Sequence, residues 1–74
     1  MPKLPALTAQ KVIRILTKKG FVLDRVKGSH HLFYNPETKR RATVPVHGRN
    51  LPTGTLLEIL KPAGIEREEI EDLL

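Results

Sequence analysis

The stretch KGSHHLFY, residues 27–34, places two adjacent histidines directly after a Gly-Ser turn, at the entry to a predicted strand. Consecutive side chains on a strand point to opposite faces of a sheet. At most one of His30 and His31 can therefore face a given core, and the other meets solvent or a ligand. Because imidazole titrates near neutral pH, this stretch is the first candidate for a functional site.

The segments around this turn predict a three-stranded sheet. Residues 21–26, with aromatic and β-branched side chains, form the strand before the turn, and Asn-Pro-Glu-Thr at 35–38 has the chemistry of the next turn. From Arg41 to Val46, apolar and polar residues alternate, which predicts a third strand. Pro45 places the end of that strand at a sheet edge or a bulge, because proline cannot donate a ladder hydrogen bond.

Helices precede and follow the predicted sheet. Thr8 is the expected N-cap of a helix over residues 8–19, in which apolar residues recur at helical spacing until a glycine ends it. A second helix begins near Thr53, and Pro62 is expected to kink or end it because proline lacks the N–H of the helix ladder. Residues 65–74 predict a short final helix with glutamates in its first turn.

This order of elements predicts an α+β fold in a single domain over residues 1–74. The arrangement is αβββα with a small C-terminal helix. It corresponds to an antiparallel three-stranded meander covered on one face by two helices. The other face of the sheet stays available to a partner.

Charge is distributed unevenly along the chain. Residues 1–50 contain eleven Lys or Arg and two acids, a balance of +9, whereas residues 51–74 contain two Lys or Arg and six acids, a balance of −4. A basic body indicates a polyanionic partner, with RNA or DNA the leading candidates. The cations of the first helix fit a solvated face equally well. A second basic cluster falls in turns and loops that we expect beside the histidines: Lys39, Arg40, Arg41 and Arg49.

Length and composition limit the chemistry. A chain near this length buries only about 60% of the surface that its unfolded form exposes, so we expect any reaction on a shallow surface against a large substrate. The sequence has no cysteine, which excludes disulfides and thiolate metal sites. No apolar run approaches the roughly 18 residues of a membrane span, and the first ten residues lack a signal-peptide core. We therefore predict a cytoplasmic protein that does not contact a membrane.

Four short motifs follow one another along the chain: Gly20-Phe21 before a strand, Lys27-Gly28-Ser29-His30-His31-Leu32-Phe33, Val44-Pro45-Val46-His47-Gly48, and Gly54-Thr55-Leu56 opening a helix. In this order and spacing, over about residues 7–65, they resemble the HicA toxin family, also called YcfA-like. The resemblance implies a double-stranded-RNA-binding-like αβββα fold and an mRNA interferase of a type II toxin-antitoxin system. It also implies neutralisation by a HicB-type antitoxin.

The resemblance also separates the two histidines. In the HicA family the catalytic histidine directly follows the Gly-Ser pair, which implies His30 here. Strand alternation alone does not choose, because His30 shares its face with Leu32 and Tyr34 while His31 shares its face with Phe33. The assignment of catalysis to His30, with His31 in packing or support, therefore rests on the resemblance.

Cleavage of RNA needs little beyond one well-placed imidazole. The 2′-hydroxyl can attack the adjacent phosphorus once a base removes its proton, and histidine has an unperturbed pKa of about 6.5, close to working pH. We therefore predict a reaction without metal or cofactor, with His30 as general base or acid. The positions expected to contact RNA are Lys27, Gly28, Ser29, Arg41, His47 and Arg49.

Several alternatives stand beside this prediction. Gly28 and Ser29 can be purely structural, since a turn glycine supplies a positive φ and a serine bonds to nearby backbone. A metal site at the three histidines lacks a carboxylate at ligand spacing. The main rival function is a non-catalytic RNA-binding module that stacks bases on Tyr34 or Phe33. A domain that binds only an acidic protein is the second rival.

Overall fold

A computed structural model describes residues 7–46 and 50–73, apart from the side chain of Glu71. The elements are β1 (Leu7–Thr8), α1 (Ala9–Lys18), β2 (Val22–Lys27), β3 (His30–Tyr34), β4 (Arg41–Pro45), β5 (Asn50–Leu51), α2 (Thr53–Ala63) and α3 (Arg67–Leu73). Strands β2, β3 and β4 form an antiparallel meander. This architecture confirms the predicted α+β fold with its three-stranded sheet and helices.

Helix α1 begins and ends where local chemistry predicts. The backbone N–H of Lys11 donates to the side-chain oxygen of Thr8 at 3.3 Å, which makes Thr8 the N-cap. At the other end Gly20 has a φ of +93°, and the N–H of Phe21 donates back to the carbonyl of Leu16 at 3.0 Å. This backward hydrogen bond past a left-handed glycine is the Schellman motif that satisfies the last carbonyls of a helix.

The β2–β3 hairpin turns on two residues. Lys27 and His30 are paired across the strands, so Gly28 and Ser29 form the whole loop. Gly28 has a φ of +57°, and it is the loop residue with a positive φ, as in type II′ turns. The carbonyl of Ser29 accepts a hydrogen bond from the N–H of Val46 at 2.6 Å. The turn is thus fastened to the chain just beyond β4.

The β3–β4 turn is organised by the side chain of Asn35, which is buried. Its carbonyl oxygen accepts from the backbone N–H groups of Glu37 at 2.9 Å and Thr38 at 3.3 Å, the pattern of an Asx turn. Its amide donates to the carbonyl of Lys19 at 3.0 Å. One buried amide therefore shapes the turn and ties it to the end of α1.

The hydrophobic core lies between the helices and only part of the sheet. Phe33 of β3 and the two apolar residues of β4, Ala42 and Val44, are buried, whereas Leu23 and Val26 of β2 remain about half exposed at 52% and 50%. Helices α1 and α2 pack against β4 and leave β2 as an uncovered edge strand. The buried hydrophobic side chains are Leu7, Ala9, Val12, Ile15, Leu16, Phe21, Phe33, Ala42, Val44, Leu51, Leu56, Ile59, Leu60, Ala63, Ile65 and Ile70.

The sequence predicts that Pro62 kinks or ends the helix, and α2 extends one residue past it, to Ala63, so the proline is not the residue at which the helix ends. Proline removes one backbone donor, but the following residue, Ala63, keeps helical geometry. The helix ends at Gly64, which has a φ of +75°, and the N–H of Ile65 donates back to the carbonyl of Leu60 at 3.1 Å. A left-handed glycine, and not the proline, therefore sets the end.

Helix α3 begins at Arg67, later than the predicted start at residue 65. Ile65 instead lies buried in the turn after α2. The carboxylate of Glu69 accepts from the backbone N–H of Glu66 at 2.7 Å and from the ammonium of Lys19 at 2.9 Å. The ammonium of Lys18 donates to the carbonyl of Leu73 at 2.8 Å. These two cations at the C-terminal end of α1, Lys18 and the cap residue Lys19, therefore fasten α3 to the domain.

Two short strands were not predicted. Leu7 pairs with Leu51 and Thr8 with Asn50, which forms a separate antiparallel ribbon of β1 and β5. Each strand has two residues, too few for an alternation pattern to be read from sequence. Of the helices in the described residues, none has the length and apolar composition needed to cross a bilayer.

Candidate functional site

The sheet register places the two adjacent histidines on opposite faces. His30 lies opposite Lys27 and Pro45, whereas His31 lies opposite Val44. Residues directly opposite one another in an antiparallel pair share a face. Because Val44 is fully buried against the helices, His31 lies on the covered face. His30 therefore lies on the uncovered face of the sheet, where its ring is exposed.

The uncovered face, called the open face below, is basic. It consists of Val22, Arg25 and Lys27 from β2, His30, Leu32 and Tyr34 from β3, and Arg41, Thr43 and Pro45 from β4. These nine positions include three Lys or Arg and no acid. Asp24, at a bulge in β2, accepts a hydrogen bond from Arg25 at 3.2 Å and offsets that cation in part. The open face keeps a positive balance, which favours an anionic ligand.

The surroundings of His30 combine a cation with a tight turn. Lys27, directly opposite, is exposed, as are Gly28 and Ser29 in the turn that precedes the histidine. A Cβ atom added at Gly28 would meet no atom within 4 Å. The glycine is therefore required by its left-handed backbone and not by close packing within the described protein. Three of the predicted contact residues thus adjoin the predicted catalytic ring.

The ring of His31 has a different environment. It is half-buried on the covered face, and its Nδ1 atom is shielded from solvent. No group among the described residues forms a hydrogen bond with this nitrogen. His31 lies opposite Val44 and is less exposed than His30.

A groove runs between β4 and α2 and is bordered at one place by His30. It has a volume of about 350 Å³. It is lined by His30, by Arg41, Ala42, Thr43 and Pro45 of β4, and by Thr55, Glu58, Ile59 and Pro62 of α2. We call this cleft the β4–α2 groove. It brings a carboxylate, a guanidinium and an imidazole to the border of one cavity.

Arg41 lies at the start of β4, whereas Pro45, the residue opposite His30, lies at its end. It is four residues from Pro45, a separation of roughly 14 Å along a strand. Its guanidinium carbon stands 5.0 Å from the centroid of the Tyr34 ring, within the range of a cation–π contact. Arg41 therefore sits far from His30 on the open face, while both residues border the β4–α2 groove.

The β3–β4 register separates most of the predicted basic cluster, Lys39, Arg40, Arg41 and Arg49, from the histidines. Tyr34 pairs with Arg41, so the turn that contains Lys39 and Arg40 lies at the end of the sheet opposite His30. The expectation that Lys39, Arg40 and Arg41 adjoin the histidines is wrong. The side chain of Arg40 instead approaches Gly64, where a Cβ atom would come within 2.8 Å of its Nε.

Two predicted contact residues, His47 and Arg49, lie outside the described residues. Within residues 7–46 and 50–73, no three His, Cys, Asp or Glu side chains lie together in an arrangement able to hold a metal ion.

Glu58 is the site residue that sequence reasoning missed. The sequence indicated no acid near the histidines, yet the fold brings Glu58 to the border of the same groove as His30. Thr55, Glu58 and Pro62 are spaced three and four residues apart, so they share one side of α2. That spacing is visible in the sequence, but it does not show which strand this side of the helix meets.

Comparison with known protein families assigns the chain to a family. A family model described as the HicA toxin of bacterial toxin-antitoxin systems matches residues 9–65. The chain belongs to the HicA toxin family. The match extends from α1 to the residue that follows the cap of α2, so this HicA-family toxin carries its Gly-Ser-His turn and the β4–α2 groove within the matched region. A search of curated proteins finds no match.

Membership confirms the resemblance predicted from the four motifs. A HicA-family toxin is one half of a toxin-antitoxin pair, so the family implies an antitoxin as partner. Helix α3 lies beyond the matched range, although the contacts of Lys18 and Lys19 attach it to the family's domain.

Proposed function

We propose that this HicA-family toxin is an endoribonuclease that cleaves messenger RNA in the cytoplasm without a metal or other cofactor. His30 acts as the general base or acid, and a HicB-type antitoxin neutralises the activity. The observation that carries this proposal is the position of His30. Its exposed ring stands on a positively charged open face, opposite Lys27, and borders a groove.

The reaction follows from the chemistry of RNA. A base removes the proton of the 2′-hydroxyl, the 2′-oxygen forms a bond to the adjacent phosphorus, and the bond from phosphorus to the 5′-oxygen breaks. The departing 5′-oxygen takes up a proton. The products are a 2′,3′-cyclic phosphate and a 5′-hydroxyl. His30 accepts the first proton or donates the second, and water serves at the other step.

The charges of the open face support this reaction. Negative charge grows on the phosphate oxygens as the new bond forms, and fixed cations nearby stabilise it. Lys27, opposite His30, serves the reacting phosphate, and Arg41, at the other end of β4, binds a phosphate farther along the RNA. The turn of Gly28 and Ser29 offers exposed backbone and a hydroxyl beside the ring. His47 and Arg49 complete the RNA contacts that we propose.

Cleavage of a labelled RNA in the presence of a chelator tests the mechanism. The wild type should cut RNA in excess EDTA and leave cyclic phosphate ends, while an all-deoxy oligonucleotide of the same sequence stays intact. His30→Ala should lose about 10²- to 10⁴-fold in rate and retain RNA binding, whereas His31→Ala and His47→Ala test the other rings. Cleavage of the DNA strand at a comparable rate would contradict the role of the 2′-hydroxyl. Loss of activity in EDTA would contradict cleavage without a metal.

The antitoxin step has its own test. A HicB-type antitoxin should abolish RNA cleavage by covering the open face and His30. RNA cleavage that continues unchanged with excess antitoxin would contradict this part of the proposal.

A non-catalytic RNA-binding module is the second candidate, and the contact between Arg41 and Tyr34 favours it. A guanidinium held over an aromatic ring on an open sheet face forms a stacking platform for an unpaired base. A protein of this kind would bind RNA with strong salt dependence and leave its length unchanged. A protein that meets only an acidic partner would show no RNA affinity even at low salt.

A further inference from the structure

The β4–α2 groove has polar groups that the cleavage mechanism does not use. Cleavage as proposed uses His30 and cations, but the groove also presents Glu58 and the hydroxyls of Thr43 and Thr55. These groups stand on two elements that face each other across the cavity. They form a candidate recognition site directly beside the reacting ring.

The dimensions and walls of the groove suit a flat, partly apolar group. Its volume of about 350 Å³ lies near the lower end of the range for small-ligand sites, roughly 300–1,000 Å³. Ile59 and the rings of Pro45 and Pro62 supply apolar surface, while the polar groups lie among them. A single unstacked nucleobase has this character, and recognition of single-stranded RNA works by splaying bases into such sites.

The carboxylate of Glu58 is available for a ligand. Glu58 is exposed, and among the described residues neither an ion pair nor a side-chain hydrogen bond engages it. Arg41 borders the same groove without pairing with it. An ionised carboxylate only accepts hydrogen bonds, so the edge of a base that it recognises must present donors.

The four RNA bases differ in this respect. Guanine presents two adjacent donors, N1–H and the N2 amino group, on its Watson–Crick edge, and adenine and cytosine each present an amino group. Uracil presents one N–H between two carbonyl oxygens, which repel a carboxylate. A glutamate in the groove therefore discriminates most strongly against uracil.

We propose that the β4–α2 groove binds the nucleobase next to the cleaved phosphate, and that Glu58 selects amino-bearing bases and rejects uracil there. This inference rests on the proposed RNA cleavage and adds a determinant of sequence preference. It makes Glu58 a specificity residue, while proton transfer stays with His30.

Mapping of cleavage sites in a randomised RNA pool tests the assignment. The wild type should show uracil depleted at one position beside the cut, by about 5- to 100-fold for a good carboxylate–base contact. Glu58→Gln keeps the shape of the side chain and adds a donor, so it should relax the depletion to within about threefold of no preference. The ratio between bases matters here, because loss of one negative charge also strengthens RNA binding for every sequence.

Glu68→Gln is the matched control. Glu68 is exposed on α3 and does not border the groove, and its replacement changes the net charge by the same amount. This variant should keep the base preference of the wild type. Circular dichroism spectra that match the wild type should confirm that both variants are folded.

The outcomes separate this inference from the function on which it rests. If the wild type leaves the pool intact, the proposed function fails and the inference fails with it. If the wild type cuts and Glu58→Gln slows every sequence equally, Glu58 takes part in the reaction itself and base selection is overturned. An unchanged base preference in Glu58→Gln also overturns it, and so does an equal change in Glu68→Gln.

Discussion

Replacing Gly28 with L-alanine should destabilise the protein through backbone strain alone. Gly28 has a φ of +57°, a region where the Cβ of an L-residue crowds the next carbonyl at a cost of about 1–2 kcal/mol. The added methyl meets no atom within 4 Å, so no packing energy is gained or lost. We therefore expect the free energy of unfolding to fall by about 1–2 kcal/mol, which lowers Tm by roughly 4–16 °C in a domain of this size.

Two matched variants isolate the strain. D-alanine at position 28 adds the same methyl but prefers a positive φ, so it should be at least as stable as the wild type. Gly54→Ala also places a methyl in open space, but at the second residue of helix α2, where alanine gains at most about 1 kcal/mol over glycine. Urea unfolding followed by circular dichroism measures all three free energies.

The result that would refute this reasoning is an L-alanine variant as stable as the wild type, or a D-alanine variant as unstable as the L-alanine one. The same proteins separate the two roles of Gly28. If the turn is purely structural, the D-alanine variant should cleave RNA at the wild-type rate. If the bare backbone at Gly28 approaches a phosphate, the methyl should reduce cleavage although the fold is intact.

Three further predictions concern the N-cap, an ion pair and the open face. Thr8→Ala removes the N-cap bond to Lys11 and should cost about 1 kcal/mol of unfolding free energy; an unchanged urea midpoint would contradict it. The Lys19 ammonium and the backbone N–H of Glu66 hold the pKa of Glu69 below its usual 4.5. The ionised carboxylate therefore stabilises the fold in full above the usual pKa, and this stabilisation is lost as the pH falls through the lowered pKa. The carboxylate is partly exposed, so Glu69→Gln should cost at most about 1 kcal/mol at pH 7, and a penalty that persists at pH 2 would argue against this origin. Arg41→Ala should weaken RNA binding and reduce the log–log salt slope by about 0.7 if Arg41 neutralises one phosphate, and an identical slope would exclude that contact.

Local signals predicted much of the fold. A hydroxyl at Thr8 caps α1, a left-handed glycine at position 20 ends it, and Gly28 permits a two-residue turn. Each of these features depends on atoms only a few residues apart, so it can be recognised without knowing the rest of the protein. The motifs spaced along the chain also predicted the HicA family, which the family match confirms.

Longer-range contacts set the features that were predicted incorrectly or were not predicted. Pro62 lies inside α2, because one lost backbone donor does not outweigh the burial of the helix against β4. The short ribbon of β1 and β5 joins residues more than forty positions apart in sequence. Arg40 lies far from the histidines since the β3–β4 register sets which end of the sheet its turn occupies.

The sequence alone determined that His30 and His31 face opposite ways, because a strand alternates its side chains. Only the tertiary structure decided which of the two is exposed, since that depends on which face of the sheet α1 and α2 cover. The same packing brings Glu58 of α2 to the groove that His30 borders, twenty-eight residues away along the chain. Helix-to-sheet packing is set by many buried apolar contacts at once, and no single stretch of sequence carries that information.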